Sequence, residues 1–382
     1  MERNFISFSP PDIGEKEIAE VIHSLKSGWI TTGPKVSLFE KNICEYCDIP
    51  YAVATFSCTS ALFLTLKALG VGSGDEVIVP TFTFASTAHV VVHCGATPVF
   101  VDSDPDTFQM DTSKIEDLIS PRTRGIIPVH YGGNVVEMDE IFSLAKKHGI
   151  FVVEDAAHAI GSEYNGRKIG SLQSDATCFS FYATKNLSTA EGGMVVSGNK
   201  TLIDLVKKLT MYGISDSREI WQSRYTPKGN WFSDVEMIGY KANMTDLNAA
   251  LGIHQLQKLD QFNSTRAKYS LIYKNKLIGT GIGFMDVKSH VRSAWHLFPI
   301  LLPANVDRDK CISELKEKKI GTSVLFRPLH LHSAYQKLLK CRQGDFPASE
   351  RIFERLVNVP ISPSIPEDDI NYIADSIKKV LL

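Results

Sequence analysis

The sequence has no excess of either charge. Its 382 residues include 41 basic and 43 acidic side chains, a formal net charge of -2. That balance provides no general attraction to nucleic acid or to an anionic membrane surface, so any anionic ligand must be held locally. Long apolar runs are also missing: none approaches the ~20 residues that span a bilayer. The opening stretch, MERNFISFSPPDIGEKEIAE, has no basic segment followed by an apolar one, and a cytoplasmic location is expected. Cysteine is sparse and odd in number, at seven residues scattered from Cys44 to Cys341, which excludes a disulfide framework and fits a reducing compartment. Cys44 and Cys47 form a C-x-x-C without a second Cys/His pair at zinc spacing, so ordinary thiols and no metal are expected. Repeats and low-complexity tracts are absent.

What is present is an ordinary globular composition, 43% hydrophobic and 22% charged, with ample apolar material for a core. The length suggests two domains. Between about residues 52 and 200, short apolar runs (YAVATF, DEVIVPTF, TPVFVD, RGIIPVH, IFVVED, ATCFSF, GGMVVSG) alternate with stretches of helical period (SALFLTLKALG, FASTAHVVVHCG, DTSKIEDLIS, MDEIFSLAKKHG). Strands that are apolar throughout and joined by helices predict an α/β architecture, a mainly parallel sheet covered on both faces. The long helical pattern MTDLNAALGIHQLQKLDQFNSTRAKYSLIYKNKL then leads to two strand-like runs, AWHLFPILLP and GTSVLFRPLH, and a closing helix, DDINYIADSIKKVLL. The division expected is a large α/β domain over residues 1–254 and a smaller α+β domain over 255–382.

Ligands of open α/β sheets gather where strands end. IFVVED ends on Asp155, and a carboxylate there needs a cation or a ligand unless it caps the next helix. His158 follows on the same turn. Lys185 follows ATCFSF by a few residues; a lysine in apolar surroundings has a lowered pKa and can form a Schiff base, whereas a surface lysine does neither. Ser57, Cys58, Thr59 and Ser60 precede a helix whose free amides suit a phosphate, or the hydroxyls cap that helix. Phe84, in PTFTFAST, lies on the face of a flat ring or in the core. A phosphate cradle, a carboxylate for a ring nitrogen and a lysine for an aldehyde together match pyridoxal 5′-phosphate (PLP).

Seven ordered motifs then carry a resemblance: SGWITTGPKVSLFE, SCTSALFLTLKALGVGSGDEVIVPTFTFASTA, GATPVFVD, PRTRGIIPVHYGG, VEDAAHAIGSEYNGRKIGS, FSFYATKNLSTAEGGMVV and GYKANMTDLNAALGIHQLQKLD. The chain resembles the PLP-dependent sugar-nucleotide aminotransferases of the DegT/StrS group, which have the aspartate aminotransferase fold (fold type I) with a seven-stranded sheet. The resemblance implies that Lys185 is the Schiff-base lysine, that Asp155 pairs with the pyridine nitrogen and that His158 contacts the ring hydroxyl region. It places Thr59, Ser60 and Ser180 at the phosphate, Phe84 on the ring, and Asn243 at the phosphate of a neighbouring subunit, hence a homodimer with shared sites. The family often has His where Tyr182 stands and Gly where Ala190 stands.

SGWITTGP and GTSVLFRPLH look most like enzymes that aminate the C4 carbonyl of a UDP-linked 4-keto sugar. L-glutamate is then the donor, pyridoxamine phosphate (PMP) the intermediate, and Thr32 and His330 the contacts near the sugar. C3 amination is the alternative, and a sugar dehydratase of the same fold loses ground because Lys185 is present. Asp102-Ser103-Asp104 has the D-x-D form of metal-dependent glycosyltransferases, but its setting before Pro105 reads as an acidic turn. GVGSGDE lies between a helix and a strand, the reverse of a dinucleotide fingerprint.

Overall fold

The computed structural model describes residues 3–214 and 233–381. Its first helices are α1 (Glu15–Ser27) and α2 (Pro34–Cys47). They lead into a central sheet of β1 (Tyr51–Thr55), β2 (Glu76–Pro80), β3 (Thr97–Val101), β4 (Thr123–Ile126), β5 (Phe151–Asp155), β8 (Ala176–Ser180) and β9 (Gly193–Ser197). The intervening hairpin of β6 (Glu163–Tyr164) and β7 (Arg167–Lys168) pairs elsewhere. The order across the central sheet is β1-β9-β8-β5-β4-β2-β3. The four pairs from β3 to β8 are parallel, and β9 runs antiparallel to both its neighbours.

The strands carry apolar residues on both faces because both faces are covered. Along β2, Ile78 enters one core while Val77 and Val79 enter the other; β5 divides Val152 from Val153, and β9 divides Met194 and Val196 from Val195. One face is covered by α2, α5 (Met138–His148) and α7 (Asp246–Leu277). The other is covered by α3 (Cys58–Ala68), α4 (Ser86–His93) and α6 (Lys200–Thr210). Each fully buried Val, Ile or Leu contributes about 1.5–3 kcal/mol.

Helix α7 spans two cores. Ala249, Ile253, Leu256 and Leu259 pack under the central sheet. Tyr269, Tyr273 and Leu277 enter a core built on the antiparallel sheet of β10 (Gly283–Phe284), β12 (Phe298–Leu301) and β13 (Leu356–Val359), together with Ile6. The short β11 (Val291–Arg292) joins the β6–β7 hairpin. Of the remaining helices, α8 (Arg308–Glu317), α9 (Ser333–Leu339) and α10 (Pro347–Arg355) precede β13, and α11 (Glu367–Leu381) closes the chain. We propose that the two domains meet within α7, where the packing partner changes.

Two sequence expectations change and a third gains a role. DTSKIEDLIS forms two 3-10 turns, Thr112–Lys114 and Glu116–Leu118, rather than an α-helix. Its fully buried apolar side chain is Ile115, too little for a helical stripe. GTSVLFRPLH forms no strand beyond a single bridge from Ser323 to Asn358, because the Leu325 carbonyl is taken by the side chains of Tyr131 (2.5 Å) and Asn358 (3.3 Å). The acidic turn is present, with Asp104 Oδ1 accepting the amides of Asp106 (3.1 Å) and Thr107 (2.7 Å), and Asp102 beside it caps α10 by accepting the amides of Ala348 (3.0 Å) and Ser349 (2.9 Å).

Candidate active site

A cavity of about 350 Å³ opens at the carboxyl ends of β5 and β8. Lys185, Asp155, His158, Thr59, Phe84 and Ser180 all line it. Asp155 is the last residue of β5 and only 4% exposed. Its Oδ2 accepts the Thr87 hydroxyl at 2.8 Å and its Oδ1 the Ala157 amide at 3.2 Å, with the Cys58 thiol 3.9 Å away. Burial nonetheless holds its pKa above the usual carboxylate value, although these donors and the charge of Lys185 oppose the shift. A cation beside it favours its charged form, as Lys185 does.

Lys185 lies on the turn after β8, where its amide donates to the Tyr182 carbonyl at 2.9 Å. Burial pushes its ammonium down to about 8, against the pull of Cys58 and Asp155. His158 is held neutral by burial and by the nearby Lys185 charge. Its Nδ1 accepts the Gly132 amide at 3.3 Å, which leaves the ring proton on Nε2.

At the phosphate end, α3 begins directly after β1. Ser57 caps it by accepting the Ser60 amide at 3.1 Å, and the first amides of a helix have no intrahelical partner. Gly193 of β9 packs against this start so closely that a Cβ there would lie 2.4 Å from the Ser57 carbonyl carbon. The Glu191-Gly192-Gly193 turn is thus small because two backbones meet.

Several assigned residues lie elsewhere. Ser60 is outside the cavity lining, its hydroxyl 3.1 Å from that of Ser57. Thr32 does not reach the cavity: it donates to the Met244 carbonyl at 2.6 Å and accepts the Asn243 side-chain amide. The neighbouring Gly33 and Val36 amides are capped by Asp246 at 2.8 and 3.0 Å, so TTGP docks on ANMTD. His330 is fully buried, with Nδ1 at 2.8 Å from the Thr81 hydroxyl and Nε2 at 2.9 Å from Glu350. It has no ring nitrogen left for a sugar. Asn243 is buried beside Thr32 and does not line its own chain's cavity.

The sequence reading did not identify Phe8, Thr87, His296 or Phe326. Phe326 stacks on His158 at 5.8 Å and 14°, and its ring centroid lies 5.8 Å from that of Phe84. His296 lies 4.4 Å from His158, centroid to centroid, and its Nδ1 donates to the Asn186 side-chain oxygen at 3.0 Å. Ala190 takes φ 66°, the left-handed region; the glycine common at this position in the family fits that backbone.

A half-buried amine of lowered pKa, a buried acid in need of a cation and a capped helix N-terminus on one cavity fit PLP. This α/β fold and site define a PLP-type aminotransferase. The chain belongs to the DegT/DnrJ/EryC1/StrS aminotransferase family, which it matches over residues 11–378. It is 43% identical to the spore coat polysaccharide biosynthesis protein SpsC of Bacillus subtilis, across 99% of this chain and 97% of that protein. Its structure is similar to the putative sugar aminotransferase Spr1654 of Streptococcus pneumoniae in its PLP form, with a TM-score of 0.91, 35% identity and coverage of 99% and 98% of the two chains. Spr1654 is also known in a PMP form. Helicobacter pylori PseC, an aminotransferase of pseudaminic acid biosynthesis, has a TM-score of 0.90 at 28% identity, covering 99% of each chain. The protein is a sugar aminotransferase with PLP as its cofactor.

Proposed function

We propose that the enzyme transfers the amino group of L-glutamate to the C4 carbonyl of a nucleotide-linked, UDP-type 4-keto-deoxy sugar. It works as a cytoplasmic homodimer in which Asn243 serves the neighbouring subunit. The observation that carries the transfer chemistry is Lys185, with its ammonium pushed down to about 8, on the same cavity wall as Asp155. The family match and the motifs SGWITTGP and GTSVLFRPLH support the sugar and its C4 position. The role of Asn243 rests on the resemblance of GYKANMTD alone.

When bound, PLP supplies an aldehyde that takes up amines and a ring that accepts the electrons released as a Cα–H bond breaks. The chain's residues do the rest. Asp155 holds a proton on the ring nitrogen, and Thr87 and Ala157 aim its two oxygens. Lys185 Nζ is placed to hold the proton released from one carbon and would give it back to the carbon beyond the nitrogen, two atoms along. With a pKa near 8 it is neutral in roughly a tenth of molecules at pH 7, yet basic enough to attack a carbon acid. His158 presents its Nε2 proton to the ring oxygen. Phe84, which is 60% exposed, and Phe326 offer apolar ring faces to a flat ring at the mouth of the cavity.

Enzyme loaded with PMP and mixed with a panel of nucleotide-linked 3-keto and 4-keto sugars tests this reading. Recovery of the visible absorption of lysine-bound cofactor is expected with a UDP-linked 4-keto sugar. A response to 3-keto sugars alone makes the enzyme a C3 aminotransferase, and a response only to keto acids removes the sugar assignment.

A further inference from the structure

The stretch before α1 crosses the active site anchored at both ends. At one end, Ile6 forms a parallel bridge with Ile320: its amide donates to the Lys319 carbonyl at 2.8 Å and its carbonyl accepts the Gly321 amide at 2.9 Å. At the other, the Pro10 carbonyl accepts the hydroxyls of Ser362 (2.8 Å) and Ser364 (3.0 Å). Two residues further on, Asp12 is held from α7, its carbonyl by Gln255 at 2.6 Å and its carboxylate by Lys258 at 3.0 Å. Between these anchors Phe8 lines the cavity, and Ser9 Oγ donates to the Thr184 carbonyl at 3.0 Å.

Thr184 is the residue before Lys185. Lys185 stands on a turn rather than in a strand, so no ladder of sheet hydrogen bonds fixes the backbone from which its flexible side chain departs. The Tyr182–Lys185 hydrogen bond closes that turn on itself. The Ser9 hydroxyl ties it to a segment that is itself fastened to the second core. A catalytic group held on a loop is only as well placed as the groups that support it.

We propose that Ser9 is a positioning residue for Lys185, acting through the Thr184 carbonyl. The inference rests on Lys185 being the reacting amine. Its test uses Ser9→Ala, which removes the hydroxyl, and Ser9→Thr, which restores it. In the apoprotein, amide hydrogen exchange at Lys185 is expected to rise about tenfold in Ser9→Ala, the worth of one hydrogen bond, with β8 unchanged. In the holoenzyme, the glutamate half-reaction is expected to slow roughly ten- to hundredfold with the glutamate KM unchanged. Ser9→Thr recovers most of both. Unchanged exchange and rate in Ser9→Ala, or faster exchange spread through β8, overturns the proposal. A wild-type enzyme with no glutamate half-reaction strikes the aminotransferase reading instead, and leaves the exchange result to decide the role of Ser9.

Discussion

The Thr87 hydroxyl donates to Asp155 Oδ2 at 2.8 Å from the first turn of α4, and thereby fixes the face that the carboxylate shows to the cavity. A hydrogen bond to a charged group contributes about 1.5–3 kcal/mol. Thr87→Val keeps the shape and removes the donor, so the Asp155 pKa rises further and its hold on a ring cation weakens. PLP affinity, measured by titrating apoprotein, should fall about ten- to hundredfold. An unchanged affinity would separate Thr87 from the function of Asp155.

Lys185 should be the lysine of the apoprotein with the largest neutral fraction near neutral pH. Its modification by an amine-reactive reagent, followed peptide by peptide, should rise with a midpoint of about 8, while exposed lysines titrate near 10.4. The negative charge of Asp155 raises the lysine value, so Asp155→Asn should move the midpoint lower. A midpoint that moves upward in that variant contradicts the electrostatic account.

His158 and His296 are both held neutral, chiefly by burial. Their folded-state pKa values lie below those of the unfolded chain, so the unfolded chain takes up protons first as the pH falls below about 6.5. Stability is therefore full above that value and declines below it, with a limiting slope of about 1.4 kcal/mol per pH unit for each histidine. Urea unfolding between pH 7 and 5 should show this loss, and His296→Gln should show a shallower one. Equal slopes in the two proteins would rule out the contribution of His296.

Ala190 holds a left-handed backbone at φ 66°, which costs an L-residue about 1–2 kcal/mol. Replacing it with glycine removes the strain and adds back about 0.5–1 kcal/mol of unfolded-chain entropy. Ala190→Gly should therefore raise stability by roughly 0.5–1 kcal/mol, read as a higher melting temperature.

His330 should matter to folding and not to the sugar. His330→Ala leaves the Thr81 hydroxyl and the Glu350 carboxylate without their buried partner, at about 2–4 kcal/mol. The melting temperature should drop while the sugar KM of folded enzyme stays the same. A raised KM with unchanged stability would return His330 to the substrate.

That Lys185, Asp155, Ser180 and Thr59 share one cavity was legible because each lies at, or a few residues beyond, the end of a strand that its own apolar run announces, and parallel sheets gather such ends. The covered sheet was legible for the same reason. Thr87 was hidden inside a helix turn, where a threonine has several ordinary uses. Phe8, His296 and Phe326 arrive from parts of the chain whose local pattern carries no sign of the cavity; only the packing of the second core brings them there. His330 and Thr32 misled because polar residues beside family motifs also hold those motifs together, as Thr32 does for Asn243 and Met244.

The cavity wall runs in sequence from Phe8 to Phe326. During synthesis, then, β5, which carries Asp155, and the turn after β8, which carries Lys185, leave the ribosome long before the aromatic residue that stacks on His158. Domains form as units from the N-terminal side, and contacts so distant in sequence close slowly. The nascent chain consequently passes through a stage in which Lys185 is made but the pocket around it is unfinished, and a complete cavity wall belongs to the nearly finished polypeptide.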